Sequence, residues 1–319
     1  MFIFISALAA IIPMSAYLVF IWWLDKYDRE PFKLVLQNYL WGAIGAIIFA
    51  VLGSIIFSTI LSEFISNKDE LNYLGTIVVA PVVEEITKGI FLLITVTNRK
   101  FDNITDGIVY GGAIGLGFGM TENFLYFISY GTTMSDWIAI VIIRTLFSAV
   151  MHCVTTATFG AFLGYAKFKG RAHKIFLHIT GLIIAILIHF SWNFTVSYQS
   201  TAILGFLFLG VTIIIFIAIF SASVMNEKKI IIDELLSEVA LGIIPNEHLI
   251  ILCSTNRNNR GWIDENIRKP YIKAATTLAF RKKQMQSSKG YSKEFFESEV
   301  NNYRQFIKNL FASSEADNA

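Results

Sequence analysis

The chain has 319 residues, of which 55% are hydrophobic and 14% aromatic, with 28 phenylalanines. Charged residues make up 16%, against roughly 25% in ordinary soluble domains, so a water-soluble globular protein of this size is excluded. A formal net charge of +2 points to no polyanionic partner, and no nucleic-acid motif is present. Cys153 lies in an apolar segment and Cys253 in a polar one, far apart, which predicts neither a disulfide nor a CxxC metal site.

A membrane-spanning helix needs about 20 mainly apolar residues. Seven segments qualify in chain order: Phe2–Leu24, Leu34–Leu61, Tyr73–Thr97, Thr105–Ser129, Ile138–Tyr165, Ile175–Ser197 and Ala202–Met225. The first has no basic start, and its apolar run exceeds the ~7–15 residues of a signal-peptide core, so it reads as a retained anchor. Basic loops alternate with poor ones. Lys26, Arg29 and Lys33 follow the first segment, Lys68 alone the second, and Arg99 and Lys100 the third. The fourth loop, YGTTMSDW, has none, the fifth has Lys167, Lys169, Arg171 and Lys174, and the sixth has none. This places the N-terminus outside and the C-terminal tail in the cytoplasm of a multi-pass membrane protein.

From about Asn226 the chain turns polar, with fourteen Lys and Arg against twelve Asp and Glu. DELLSEVALGIIP reads as an amphipathic helix closed by Gly242 and Pro245. Asp264–Gln286 and Tyr291–Phe311 read as two more helices, STNRNNRG as a loop and SSEADNA as a frayed end. His173 and His248 read as solvated loop residues. The fold class is an all-α integral membrane protein with about seven transmembrane helices. Residues 1–225 form a polytopic membrane core, and 226–319 a small helical cytoplasmic module that docks a cytoplasmic partner or regulates the core.

Ionisable residues inside spanning helices are costly and usually functional. They fall on four consecutive segments: Glu84, Glu85 and Lys88 on the third, Glu122 on the fourth, Arg144 and His152 on the fifth, and His189 on the sixth. Counted from the outer helix ends at ~1.5 Å per residue, Glu84, Glu85 and His152 lie about 20 Å deep and Glu122, Arg144 and His189 about 10 Å. These depths meet in the outer half of the bilayer or at its midplane. Glu84 and Lys88 share a helix face, as do His189 and Asn193, and Arg144, Ser148, His152 and Thr156 form an i+4 row. Gly107, Gly111, Gly115 and Gly119 make an every-fourth ladder that permits close helix contact, and Glu122 continues that face. Arg144 is the natural counter-charge for Glu122, and Lys88 for Glu85.

Carboxylates and imidazoles in a low-dielectric site can hold a divalent metal or activate water directly. His189 with Asn193 one turn later offers a proton donor and an amide N–H for an oxyanion. Cys153 adjoins His152 but points to another face, which argues against a cysteine nucleophile. HExxH is absent, so there is no standard zinc signature.

EEITK at Glu84–Lys88, GFGMTEN at Gly117–Asn123 and HFSWN at His189–Asn193 resemble the motifs of the PrsW family of bacterial membrane-embedded proteases. DGIVYGGAIGLGFG, Arg144 and MHCVTTATFG around His152 fit the same pattern, and the resemblance covers about residues 1–225. The wider group includes the CAAX prenyl endopeptidases and bacteriocin-processing proteins. Its middle motif is Phe-x3-His, and here Phe118-x3-Glu122 carries glutamate instead. The resemblance implies an intramembrane protease that makes the first cut in a single-span membrane protein, an anti-sigma factor of a stress response, near its outer side. It implies Glu84, Glu85, Glu122, His189 and Asn193 as catalytic residues, with His152, Arg144 and Lys88 accessory. A metal such as zinc, if used, would sit on Glu85, Glu122, His152 and His189, and direct activation of water by glutamate remains the alternative. The long tail departs from the family's compact pattern. The competing reading is an ion- or proton-coupled transporter with a buried acidic relay, although no internal repeat accompanies it.

Overall fold

A computed structural model describes residues 2–317, and every described element is helical. Seven long helices come first: α1 (Phe2–Leu24), α2 (Phe32–Ser62), α3 (residues 68–95), α4 (Ile104–Tyr130), α5 (Met134–Ala166), α6 (Arg171–Val196) and α7 (Ala202–Ala240). Three shorter or polar ones come after them: α8 (Asn246–Leu252), α9 (Glu265–Ser287) and α10 (Tyr291–Asp317). The chain divides into two compact units. One holds residues 2–25 and Arg29–Ser221; the other holds Lys26–Asp28 and the residues from Ala222 onward.

Among the described residues, five helices (α1, α2, α5, α6 and α7) are long and apolar enough to cross a membrane. The expectation of seven meets a physical distinction here. Helix α3 carries Glu84, Glu85 and Lys88 within five residues, and α4 carries six glycines. Both have the length to span but not the apolarity. Helix α4 is buried almost without a break from Thr105 to Gly119, so protein rather than lipid surrounds it. The flanking helices instead present large apolar side chains outward, such as Ile55 on α2 and Ile214 on α7, which is the pattern of a lipid-facing surface.

Helix α4 starts at a capping box: Asn103 Oδ1 accepts the Asp106 N–H at 3.1 Å, and Asp106 Oδ2 accepts the Asn103 N–H at 3.1 Å. Its glycine ladder then lies along α5. A Cβ at Gly107 would meet the Gly160 carbonyl, at Gly111 the Thr156 carbonyl, and at Gly115 the His152 carbonyl. The two backbones therefore touch where Glu122 and His152 must meet. On its other side α4 packs against α1 and α2, where Gly117 abuts the Tyr39 carbonyl.

Three helices contain a π-helical stretch: Trp41–Ala46 in α2, Gly75–Val79 in α3 and Arg144–Ser148 in α5. An inserted π turn leaves a carbonyl without its usual partner and rotates the next face of the helix. In α3 the Ala80 N–H bonds the Gly75 carbonyl, and Pro81 has no N–H, so the Thr76 carbonyl has no main-chain donor. Asn193 Nδ2 on α6 fills the vacancy at 2.9 Å. In α2 the Ala43 carbonyl accepts Thr121 Oγ1 from α4 at 2.7 Å.

Helix α7 is continuous over 39 residues, about 58 Å at ~1.5 Å per residue. This corrects the expectation of a span ending at Met225 and a separate helix starting near Asp233. The intervening NEKKIII holds neither Gly nor Pro, so nothing interrupts the hydrogen-bond ladder. The stop comes at Gly242, at φ +67°, where Ile243 N–H bonds the Glu238 carbonyl at 2.9 Å.

The second unit has its own core of Ile231, Leu235, Ile244, Leu252, Tyr271, Leu278, Phe280, Val300 and Ile307. Buried Glu238 takes a two-pronged bond from Arg304, 2.8 Å on each arm, and an ion pair from Lys282 at 2.7 Å. His248 is not a solvated loop residue. It lies on α8, buried among Trp262, Tyr271 and Phe311, with ring centroids 5.1, 5.6 and 6.2 Å away. The expected loop at 254–261 contains a 3₁₀ turn, Thr255–Asn258. The expected fray at 313–319 is helical through Asp317, and Asn318 and Ala319 lie outside the described residues.

The glycine contacts and the His248 setting are both open to test. Gly111→Val forces a branched side chain against the α5 backbone and lowers stability by about 2 kcal/mol or more. Gly210→Ala, where a Cβ meets nothing within 4 Å, leaves thermal unfolding in detergent unchanged or slightly raised. Burial holds the His248 pKa below its ordinary value, against the raising influence of Glu247. The unfolded chain then binds the extra proton below about pH 6.5, so the local fold is fully stable above that pH and weakens as pH falls. Hydrogen exchange over 246–252, corrected for intrinsic rates, loses protection from pH 7 to 5.5, and His248→Phe removes the dependence.

Candidate active site

Four helices each bring polar side chains to one interior point of the first unit. Helix α3 leaves its π stretch at Pro81 and presents Glu84, Glu85 and Lys88 over a single turn. Helix α4 delivers Glu122 and Asn123 just past the glycine ladder. Helix α5 delivers Arg144, Ser148, His152, Thr155 and Thr156 on its inward face. Helix α6 is buried along Gly181, Ala185, His189 and Trp192, a narrow stripe that ends at the site.

Lys88, fully buried, sits at the centre. Its Nζ lies 2.8 Å from Glu85 Oε1, 3.4 Å from Glu84 Oε2 and 2.9 Å from His152 Nδ1, and 4.0 Å above the Phe118 ring. Glu85 is the most heavily bonded carboxylate. It also takes His189 Nδ1 at 2.9 Å, Thr155 Oγ1 at 3.1 Å and Thr156 Oγ1 at 3.3 Å. Glu122 Oε2 lies 2.5 Å from Arg144 Nη2 and 2.7 Å from His152 Nε2. Arg144 is fixed further by Nε donating to Asn123 Oδ1 at 3.1 Å and by the Tyr126 ring 3.5 Å beneath it.

These contacts assign the imidazole protons. A carboxylate paired with a cation only accepts, so His189 carries its proton on Nδ1, toward Glu85, and His152 on Nε2, toward Glu122. The ammonium of Lys88 only donates, which fits a lone pair on His152 Nδ1. The remaining nitrogens, His152 Nδ1 and His189 Nε2, then turn to the same atom, Glu84 Oε2, at 3.9 and 3.8 Å. The two rings meet edge to face, 4.9 Å apart. Each imidazole thus has one nitrogen held by a carboxylate and the other facing Glu84, that of His152 also taking a Lys88 N–H; a carboxylate on the far nitrogen is the arrangement that orients histidine ligands on metals.

Ligand atoms of Glu84, His152 and His189 all lie within 4.8 Å of one another, and one carboxylate with two imidazoles is a donor set suited to zinc. The residues present therefore fit a divalent metal. The distribution differs from the expected ligand set of Glu85, Glu122, His152 and His189: Glu85 and Glu122 are spent on the far nitrogens of the histidines, and Glu84 faces the near ones. Asn193, also expected in the cluster, turns its amide to the Thr76 carbonyl. Thr155, Tyr126 and Asn123 join the site without having stood out in the sequence. Thr155 neighbours Thr156 of the i+4 row, and Tyr126 lies one turn beyond Glu122, so local spacing held the signal.

The sequence of residues 30–222 matches the profile of the PrsW family intramembrane metalloproteases. The chain belongs to the PrsW family. It is 28% identical to Protease PrsW of Bacillus subtilis (strain 168) over 204 residues, which cover 63% of this chain and 85% of that protein. Identity to Protease PrsW of Clostridioides difficile (strain 630) is 29% over 60% of this chain and 79% of that protein. For Protease PrsW of Oceanobacillus iheyensis it is 30% over 58% and 80%. No solved structure matches the chain. All four site helices fall inside the PrsW-matched region, whereas residues beyond 222 fall outside it.

The Arg144–Glu122 pair generates a direct test. Arg144→Met strands a largely buried carboxylate and lowers stability by about 2–3 kcal/mol. Adding Glu122→Gln restores about 1–2 kcal/mol of the loss in a double-mutant cycle read by thermal unfolding.

Proposed function

We propose that this PrsW-family chain is an endopeptidase that cuts a single-span membrane protein, of the anti-sigma-factor kind, at a peptide bond near the outer face of the membrane. In this reading α3 and α4 also cross the bilayer, α4 with Thr105–Gly119 enclosed by protein and α3 with Ile86, Ile90 and Ile94 on the lipid side. The N-terminus lies outside, and the second unit lies in the cytoplasm as a docking or regulatory module. The observation that carries the chemistry is the turn of His152 Nδ1 and His189 Nε2 toward Glu84 Oε2.

Glu84 is the acting carboxylate. Its side chain is 12% exposed and Glu85 only 1%, so Glu84 has the path to water, while Glu85 is saturated by Lys88, His189 and two threonines. Glu84 takes up the proton of the attacking water and returns it to the leaving amine. Glu85 and Glu122 hold the two imidazoles in the tautomers that leave a lone pair toward the reacting water. Asn193 anchors α6 to the α3 π stretch and keeps His189 in register, with its second N–H left for the substrate carbonyl. Glu84, His152 and His189 are the residues that would hold a divalent metal. Such an ion supplies polarisation of the water and of the scissile carbonyl. A carboxylate has two oxygens, so holding an ion and accepting a proton are compatible roles for Glu84.

Removing a positioned base slows hydrolysis by roughly 10²–10⁴-fold. With purified protein co-reconstituted with single-span anti-sigma factors, Glu84→Gln and His189→Ala abolish detectable cleavage. Glu122→Gln lowers it strongly through loss of His152 orientation. All three variants keep wild-type helicity. Wild-type cleavage rates in Glu84→Gln would refute the assignment.

A further inference from the structure

Lys88 holds a position that the proposed chemistry does not use. Its ammonium contacts Glu84 Oε2 at 3.4 Å and His152 Nδ1 at 2.9 Å. Those atoms belong to two of the three residues that converge as candidate metal ligands, and Glu84 Oε2 also faces the third, His189. The His152 lone pair, left open by the bond from Nε2 to Glu122, is thereby occupied by a Lys88 N–H. The same nitrogen has a second group of contacts: Glu85 Oε1 at 2.8 Å and the face of Phe118 at 4.0 Å. The side chain thus has an anchor it keeps and a pair of acceptors it can release.

We propose that Lys88 is a built-in competitor for the divalent-metal position: its ammonium holds Glu84 and His152 when no ion is bound and withdraws onto Glu85 and Phe118 when one is. The proposal rests on the Glu84, His152 and His189 reading of the site. Three physical points support it. A cation is needed beside the Glu84–Glu85 pair at all times, because adjacent carboxylates in an apolar interior repel. The cation provided is on a four-carbon stem with rotatable bonds and can shift its head without moving the helix. And two cations do not share the same acceptor atoms, so binding of one weakens binding of the other. Glu85, with its two threonine donors and His189, is the fixed end of this latch, and Glu84 is the end that changes partner.

The consequence is a wild-type affinity for divalent metal far below that of an unobstructed carboxylate–imidazole site, and a Glu84–Glu85 pair that keeps a counter-charge when the ion leaves. Binding of Co²⁺ and Zn²⁺ to full-length protein in detergent tests this, by cobalt ligand-field absorption and zinc competition. Lys88→Met and Lys88→Gln bind Co²⁺ at least tenfold more tightly than wild type, and Lys88→Arg, which keeps the charge, binds within threefold of wild type or more weakly. Neutral variants that bind no more tightly than wild type would overturn the proposal. A readout on the unmutated site covers the case in which the neutral variants do not fold. In ¹⁵N-lysine-labelled wild type the Lys88 signal, assigned through Lys88→Arg, moves on zinc addition. An unmoved signal while zinc binds would also overturn the proposal. Glu84→Ala and His189→Ala separate the metal-site reading from the competitor role. If they abolish metal binding, the site reading stands and the Lys88 variants decide. If metal binding survives both, the site reading fails and the competitor role with it.

Discussion

The organising constraint is charge balance in an apolar interior. Glu84, Glu85 and Glu122 stand within one bundle surrounded by aliphatic side chains, where an unpaired carboxylate would cost several kcal/mol. Lys88 and Arg144 supply the compensation, and each reaches its carboxylate from a defined direction: Lys88 from the same helix turn, Arg144 across from α5. Once those two ion pairs are in place, Glu85 and Glu122 accept only, and this sets the protons of both histidines. The tautomers, the open lone pairs and the convergence on Glu84 all stem from that pairing. The site is therefore set first by its electrostatics.

Two backbone devices make the arrangement reachable. The glycine ladder removes side chains between α4 and α5, so Glu122 and His152 approach to 2.7 Å without long linkers. The π stretch of α3, Gly75–Val79, falls just before its polar turn, and that of α5, Arg144–Ser148, carries the first residues of its polar row. A π turn re-aims the helix face beyond it, and in α3 it leaves the Thr76 carbonyl to another partner. The Asn193–Thr76 bond uses that carbonyl to lock α6, and with it His189, against α3.

Much of this is legible in the sequence, for local reasons. Helix existence comes from apolar length, and shared faces come from i+4 spacing, as with Glu84 and Lys88 or Arg144 through Thr156. That four consecutive helices share one polar site is readable from their ionisable residues, but not its level: Glu122 and His152, counted about 10 Å apart in depth from the helix ends, stand 2.7 Å apart. The features that are not legible depend on rotamers and on long-range contacts. Nothing in EEITK says that Glu85 faces His189 and the threonines while Glu84 keeps the open side. Asn193 reads as an oxyanion donor because its partner, a carbonyl released by a π turn and Pro81, is invisible without the backbone. The continuity of α7 is hidden because a fall in hydropathy after Met225 resembles a helix end, although polarity changes solvent and not hydrogen bonding. The burial of His248 is hidden because the aromatic residues around it come from α9, α10 and the segment between α8 and α9.

The central claim is that Glu84, His152 and His189 address a single position. X-ray absorption at the zinc edge, on the full-length protein at saturating zinc, tests it most directly. The account predicts a first shell with two imidazole nitrogens and one carboxylate oxygen, completed by non-protein oxygen, and loss of one imidazole in His152→Ala. A shell without histidine, or one unchanged when Glu84 and His152 are replaced, would contradict it.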